Sequence, residues 1–179
     1  MASPAPLRWD RQMQQRLARG EESALGELYD RFASLVHHLA NKIMDDPEAA
    51  EQITREVFGY IWENPDAFDA KHGSLRSWVA ALTHRQAVNR LRQVAHGATR
   101  DREAVEAKVH AASTAARADY IVSSMPYPLR QALDLAYKGK RNYRQAAAEL
   151  GVSEDEARRR LRLGLQLLST AADDPERQL

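Results

Sequence analysis

Residues 73–92 carry the pattern that most restricts what this chain can fold into. Large apolar residues recur there at the three- and four-residue spacing of a helix and define one stripe. They are Leu75, Trp78, Val79 and Leu82. Ser74 stands at the N-cap position, where its hydroxyl can accept a bond from a free backbone N–H group. The pattern predicts an amphipathic helix over residues 74–92.

The outer face of this predicted helix is basic. Residues 71–100 contain six Lys or Arg and no Asp or Glu, and the cations alternate with Asn, Gln and His. An apolar inner face combined with a basic outer face suits a nucleic-acid surface. An ordinary solvated helix face has the same pattern, so the stretch alone leaves both interpretations open.

Composition excludes several classes of protein and site. The 179 residues include no cysteine, which excludes disulfides, thiolate metal sites and a cysteine nucleophile. The longest purely apolar run is five residues, 78–82, too short to span a bilayer, so we expect no membrane insertion. Residues 1–6 lack the features of a signal peptide and are expected to form a loose tail. We expect a cytoplasmic protein.

Helical periodicity extends through the first half of the chain. Apolar residues at spacings of three, four and seven predict three helices before the basic one, separated by Pro47 and by the Asn64-Pro65-Asp66 break. The predicted helices cover residues 10–18, 23–44 and 48–63. Residues 10–96 are therefore predicted to form a helical bundle with short connections.

Composition changes after this bundle. Ala, Thr, Arg and Glu dominate residues 97–118, where large apolar residues nearly vanish. We interpret this segment as a linker that is helical in part. A second small domain is predicted over residues 119–172. The expected fold class is all-α, with two small helical domains joined by a linker.

Residues 143–168 carry a helix-turn-helix pattern. Gly151 can adopt the left-handed conformation that a sharp turn requires, and Ser153 with Glu156 is predicted to form a capping box on the second helix. The predicted buried stripe of that helix is Leu161, Leu165 and Leu168. A plain helical hairpin with a glycine turn remains the alternative.

Motifs for catalysis or metal binding are missing from the sequence. The six histidines are scattered, and the adjacent His37 and His38 would point about 100° apart on a helix. No Gly-rich phosphate loop, nucleophile elbow or HExxH motif occurs. We therefore expect neither an enzyme nor a cofactor or metal site. Phe68 is expected to pack into the bundle rather than form a pocket for an unstacked base.

Taken in order, these parts resemble a bacterial extracytoplasmic-function (ECF) sigma factor of the sigma-70 family, across about residues 10–170. The residues at 84–88 are most similar to the SigK-type members. The matching stretches are 24–32, 56–58 with Trp62, 68–69 with 73–79, 84–92 and 143–165.

The resemblance implies a factor that binds core RNA polymerase and directs promoter-specific transcription initiation. Residues 10–96 correspond to the σ2 domain and residues 119–172 to the helix-turn-helix σ4 domain. The helix at 48–63 is expected to dock on the clamp helices of the β′ subunit, and the apolar surface of σ4 on the β flap. An anti-sigma factor is the further implied partner.

The implied contact residues fall into three sets. The polymerase-binding set is Glu48, Glu51, Gln52, Arg55 and Glu56. The set for the −10 promoter element is Lys71, Arg76, His84, Arg85, Asn89 and Arg92. The set for the −35 element is Arg144, Asp155, Glu156, Arg158, Arg159 and Arg162.

Two departures from the family pattern leave other functions open. The helix at 48–63 has less acidic character than is common in the family, and Asp155-Glu156 replaces a usual Gly-Thr pair. Carboxylates at this position can have one of three effects. They can repel DNA phosphates, accept hydrogen bonds from cytosine amino groups, or stabilise the N-terminus of the helix. The alternatives are a degenerate sigma-like regulator and a helical protein-interaction adapter, both without initiation activity.

Overall fold

The computed structural model describes residues 8–171, and that part of the chain contains helices and no strands. The all-α fold expected from the sequence is confirmed. The α-helices are α1 (Arg8–Ala18), α2 (Glu22–Met44), α3 (Pro47–Glu63), α4 (Leu75–Ala98), α5 (Arg102–Ser124), α6 (Tyr127–Tyr137), α7 (Tyr143–Leu150) and α8 (Glu154–Ser169). A 3₁₀ turn, Pro65–Ala67, lies between α3 and α4. The predicted tail at residues 1–6 and the last predicted domain residue, 172, lie outside the described residues.

The chain divides into two compact units that meet in sequence between Ser113 and Thr114. In the first unit, α2 packs against α3, α4 and α1. The apolar stripe of α2 is buried along its whole length. Its buried residues are Ala24, Leu28, Phe32, Val36, Leu39, Ala40 and Ile43. Each large side chain of such a stripe stabilises the fold by about 1.5–3 kcal/mol when it leaves water.

Capping residues set the ends of these helices much as the sequence predicts. Asp45 adopts the left-handed conformation at the end of α2, and the Asp46 side chain accepts bonds from the first N–H groups of α3. Ser74 Oγ accepts a hydrogen bond from the Ser77 N–H at 3.1 Å, so the predicted N-cap of α4 is confirmed. The helix continues to Ala98, beyond the predicted end at residue 92.

Residues 97–118 are more ordered than a loose linker. A single helix, α5, covers most of this segment and runs on to Ser124. Val105 and Val109 are only 1% and 3% exposed. They are four residues apart and therefore lie on one face of the helix. Two buried valines at this spacing anchor the first half of α5. A count of apolar residues along the sequence underestimates how firmly this segment is held.

The second unit is built from α6, α7 and α8 around a small apolar core. The core residues are Met125, Ala132, Leu133 and Leu161, with Ile121, Leu129, Ala136, Leu150 and Leu168 packed against them. Gly151 adopts the left-handed conformation at the end of α7, with φ +66°, as the helix-turn-helix pattern predicts.

The predicted buried stripe of α8 is wrong at one position. Leu165 is 43% exposed, whereas Gly164 is buried. A Cβ atom on Gly164 would lie 2.9 Å from Leu133 Cδ1, so α8 approaches α6 closely here and a side chain at this position would have to displace Leu133. The stripe therefore passes through Leu161, Gly164 and Leu168, a pattern that hydrophobicity alone does not reveal.

The predicted capping box at Ser153 is half correct. Ser153 Oγ accepts a bond from the Glu156 N–H at 3.2 Å, but the Glu156 side chain accepts from Arg160 at 2.8 Å instead of turning back to the cap. Both arms of a capping box are present one helix earlier. There Asn142 and Gln145 bond reciprocally at the start of α7.

Trypsin should cleave after Arg100 before it cleaves after Lys108. Both side chains are exposed, but Arg100 lies in the non-helical connection between α4 and α5, and Lys108 lies inside α5 next to buried Val109. Proteases require locally unfolded backbone, which is less populated within an anchored helix. Limited digestion with mass spectrometry of the fragments measures the order. A first cut after Lys108 would contradict an anchored α5.

Candidate nucleic-acid interface

Two of the residues predicted to contact the −10 element form an exposed polar pair on α4. Arg85 and Asn89 are both exposed and four residues apart, so they lie on one face of the helix. Within residues 8–171, neither side chain has a hydrogen-bond or ion-pair partner. The guanidinium and amide groups are therefore available to a ligand.

Two other residues of the predicted −10 set contact α5 instead. Arg92 Nε lies 3.1 Å from Glu106 Oε1. The His84 Nε2 atom lies 3.0 Å from Ser113 Oγ and 3.4 Å from the Ser113 carbonyl oxygen. The order of these contacts means that the first half of α5 runs antiparallel to α4. The sequence prediction missed these contacts because it treated α5 as a loose segment.

The remaining cations of α4 point in other directions. Arg76 is exposed but lies nine residues before Arg85, which at 100° per residue puts it on the opposite side of the helix. Arg90 bonds to Glu56 at 2.6 Å and to Gln52 at 3.2 Å, which ties α4 to α3. The basic stretch of the sequence is thus not one continuous basic face.

The loop between the 3₁₀ turn and α4 is short and internally bonded. The Lys71 N–H donates to Asp69 Oδ1 at 2.9 Å, and this bond lowers the pKa of the Asp69 carboxyl group. His72 Nδ1 lies 3.0 Å from Asp69 Oδ2. Phe68 is buried and its ring packs 5.5 Å from that of Trp78, so the packing interpretation of Phe68 is confirmed. Lys71, the remaining residue of the −10 set, is exposed in this loop.

Two residues of α1 hold the ends of this loop, and the sequence prediction did not identify them. Asp10 Oδ2 accepts a hydrogen bond from the Leu75 N–H at 3.0 Å. Gln14 Nε2 donates to the Phe68 carbonyl oxygen at 2.6 Å. These partners are 65 and 54 residues apart in sequence, so no local pattern indicates them.

In the second unit, the exposed face of α8 carries most of the predicted −35 set. Positions separated by three, four and seven residues share this face. They are Asp155, Arg158, Arg159 and Arg162. Arg162 has no hydrogen-bond or ion-pair partner among the described residues. The guanidinium carbon of Arg158 lies 5.3 Å from the centre of the Tyr143 ring on α7.

The acidic first turn of α8 is paired with neighbouring arginines. Glu154 lies 3.1 Å from Arg144 on α7 and 3.9 Å from Arg158. Asp155 lies 3.8 Å from the same Arg158. Arg144 and Arg158 of the predicted −35 set are therefore each paired with a carboxylate at the start of α8.

Glu156 completes this acidic turn but points toward other arginines. Its carboxylate lies 2.8 Å from Arg160 and 3.1 Å from Arg159. The hydrogen bond from Arg160 is the main cause of a lowered pKa for Glu156. Glu156 is thus ionised at neutral pH and engaged within α8.

The predicted polymerase-binding residues share the exposed side of α3. All five are exposed: Glu48, Glu51, Gln52, Arg55 and Glu56. Arg55 pairs with Glu51 at 2.8 Å along the helix, and Glu56 and Gln52 bond to Arg90 as described above. A groove beside this helix is lined by residues of α2 and α3, including Tyr29, His37 and His38.

Neither a metal site nor a membrane span emerges from the described residues. Within residues 8–171, no group of three or more His, Cys, Asp or Glu residues is placed to hold a metal ion. No helix in that range combines the length and apolar character needed to cross a bilayer.

Comparison with known proteins shows a similarity to sigma factors. The Sigma-70 region 2 family model matches residues 28–96, which include α3, the loop and nearly all of α4. The ECF RNA polymerase sigma factor SigK of Mycobacterium tuberculosis (strain H37Rv) is 27% identical over 169 residues, covering 88% of this chain and 90% of the relative. The chain is thus similar to extracytoplasmic-function sigma factors over most of its length, and its first unit carries the match to sigma-70 region 2.

Other relatives give the same picture. SigK of Mycobacterium ulcerans (strain Agy99) is 27% identical over 88% of this chain and 90% of its own length. SigK of Mycolicibacterium vanbaalenii is 26% identical over 85% of this chain and 83% of its own length. The resemblance inferred from the sequence is thus confirmed.

One solved structure matches most of the chain, with low structural similarity. The structure of CnrH in complex with the cytosolic domain of CnrY is 20% identical and covers 92% of this chain and 99% of that chain, with a TM-score of 0.42. A similarity at this level supports no conclusion about partners.

Proposed function

We propose that this protein is a sigma factor that binds core RNA polymerase and directs it to promoters by contacting the −10 element with α4 and the −35 element with α8. The observation that carries the proposal is the exposed Arg85–Asn89 pair on α4. It lies inside the stretch that matches sigma-70 region 2, and both side chains are without partners among the described residues.

The −10 contact uses side chains that suit an unstacked base. An amide such as that of Asn89 can donate and accept hydrogen bonds at the edge of a base, and a guanidinium such as that of Arg85 can pair with a phosphate or stack on a base. Lys71 adds a cation in the loop before α4. His84 and Arg92 contact DNA only after they release their contacts with α5. Arg76 lies on the opposite side of α4.

The −35 contact uses the exposed face of α8. Arg162 is ready to meet a phosphate, whereas Arg144, Arg158 and Arg159 must first leave the carboxylates that they contact. Asp155 and Glu156 thus reduce the net positive charge offered to DNA. Each good base contact that α8 makes would discriminate against a wrong base by about 1–3 kcal/mol.

The polymerase contact is assigned to the exposed residues of α3, for docking on the β′ clamp helices. The apolar surface of the second unit is assigned to the β flap. Exposed Tyr137, Tyr143 and Leu165 support that assignment, because large exposed apolar residues mark protein-binding surfaces. An anti-sigma factor and a cytoplasmic location follow from the family resemblance and belong to the same proposal.

A second candidate is a sigma-like regulator that binds polymerase or DNA without initiating transcription. The ion pairs on α8 favour it, since they lower the charge available for −35 DNA. Transcription separates the two candidates. Run-off synthesis from genomic promoter fragments with core polymerase supports the initiation factor, and polymerase binding without any transcript supports the regulator.

Arg85→Ala and Asn89→Ala should each weaken open-complex formation by about 1–3 kcal/mol, the range for a specific base contact. Polymerase binding and helix content should not change, because both side chains are exposed and unpaired within the described chain. Arg76→Ala is the matched control on the opposite side of α4 and should have a smaller effect. Permanganate footprinting of the −10 region measures opening. Full promoter opening by both variants would mean that another part of the protein recognises the −10 element.

Arg55→Glu should change the affinity for core polymerase without unfolding the protein. The side chain is exposed, and its described ion pair is the local one with Glu51. Surface pairs of this kind contribute at most about 1 kcal/mol to stability. A pull-down with core polymerase measures binding, and circular dichroism checks folding. Unchanged binding would remove this position from the interface.

Arg162→Ala should weaken binding to −35 DNA, whereas Arg160→Ala should leave it nearly unchanged. Arg162 is exposed without a partner in the described chain, while Arg160 is partly buried and bonded to Glu156. If Arg162 meets a phosphate, its loss reduces the slope of log affinity against log salt by about 0.9. Binding titrations at several salt concentrations measure the slope. Equal behaviour of the two variants would mean that this face does not read DNA.

A further inference from the structure

We infer that α1 positions the loop before α4, which presents Lys71 of the proposed −10 surface. The inference rests on the proposed function and deepens it. Residues 69–74, here called the recognition loop, lie between two anchor points, Phe68 and Leu75. Asp10 and Gln14 bond to these anchor points, and they are positioning residues rather than DNA contacts.

Asp10 is an unusual residue for its position. It is 3% exposed, and it is the one charged side chain among the buried residues of the described chain. A buried carboxylate is costly unless it is paired. Here it accepts the Leu75 N–H at 3.0 Å, at the positive end of α4, where the helix dipole favours an anion. The carboxylate therefore fixes the place where the recognition loop becomes helix.

Gln14 fixes the other end of the loop. Its side-chain amide donates to the Phe68 carbonyl oxygen at 2.6 Å. Asp10 and Gln14 are four residues apart and so lie on the same face of α1. One face of one helix thus contacts both ends of the recognition loop.

Between these anchors the loop is arranged by its own contacts. Asp69 holds the Lys71 N–H and the His72 ring, and Ser74 caps α4. The side chains of Lys71 and His72 point into solvent. A loop that is already ordered loses less conformational entropy when it binds a ligand. The α1 contacts therefore contribute to −10 recognition before DNA arrives.

The test uses the full chain with core polymerase and a matched pair of variants. Gln14→Ala removes the bond to Phe68, and Gln15→Ala is the same change on the exposed neighbouring position of α1. Asp10→Asn keeps an oxygen that can accept the Leu75 N–H and serves as the conservative variant, while Asp10→Ala removes the acceptor. If the Asp10→Ala variant does not fold, the comparison of Gln14→Ala with Gln15→Ala tests the inference by itself.

The measurement is the ratio of open-complex formation on two templates. One is the promoter fragment that gives the strongest run-off product with the wild-type protein, and the other carries a swapped −10 base pair. Gln14→Ala and Asp10→Ala should reduce this ratio by about threefold to tenfold, the effect of losing one hydrogen bond. Gln15→Ala and Asp10→Asn should keep it within about twofold. Polymerase binding should be unchanged.

The outcomes separate this inference from the proposed function. A purely structural role for α1 would lower thermal stability and leave the template ratio of Gln14→Ala equal to that of Gln15→Ala, which overturns the inference. If the wild-type protein shows no template preference and no open complex, the proposed function fails and the inference fails with it. A wild-type preference that Gln14→Ala loses and Gln15→Ala keeps supports both.

Discussion

Burial of one apolar stripe on α2 is the constraint on which the first unit depends. The stripe runs from Ala24 to Ile43 and is buried throughout, since α2 packs against both α3 and α4. Because α3 and α4 each turn an apolar face to α2, their polar faces must point away from it. The packing of this core therefore determines where the candidate polymerase surface and the candidate −10 surface lie.

Ion pairs between separate elements then decide which cations are available. The net charge of the chain is only +1, and many of its arginines are engaged by carboxylates. Arg90 is held by α3, Arg92 by α5 and Arg144 by α8. The exposed pairs among them contribute little to stability. Their larger effect is to restrict the positive field to a few positions, such as Arg85 and Arg162.

Local rules predicted much of this molecule, and remote contacts account for what they missed. Ser74 and Gly151 were predicted correctly because a cap and a left-handed turn depend on adjacent residues. Leu165 was misplaced because the close approach of α6 to Gly164 is not visible in the pattern of α8. The contact of His84 with Ser113 was not predicted, because the two residues are 29 positions apart. For the same reason, the role of Asp10 could not be read from the sequence.

The carboxylates at the start of α8 have a consequence for how this protein responds to its ionic surroundings. An arginine that moves from Glu154 or Asp155 to a DNA phosphate leaves an anion behind, and that anion attracts a cation from solution. Cation release from DNA normally drives such binding and makes it sensitive to salt. Uptake at the vacated carboxylate offsets part of that release. If α8 binds DNA as proposed, its affinity should therefore depend less steeply on salt concentration, at the expense of maximal affinity at low salt.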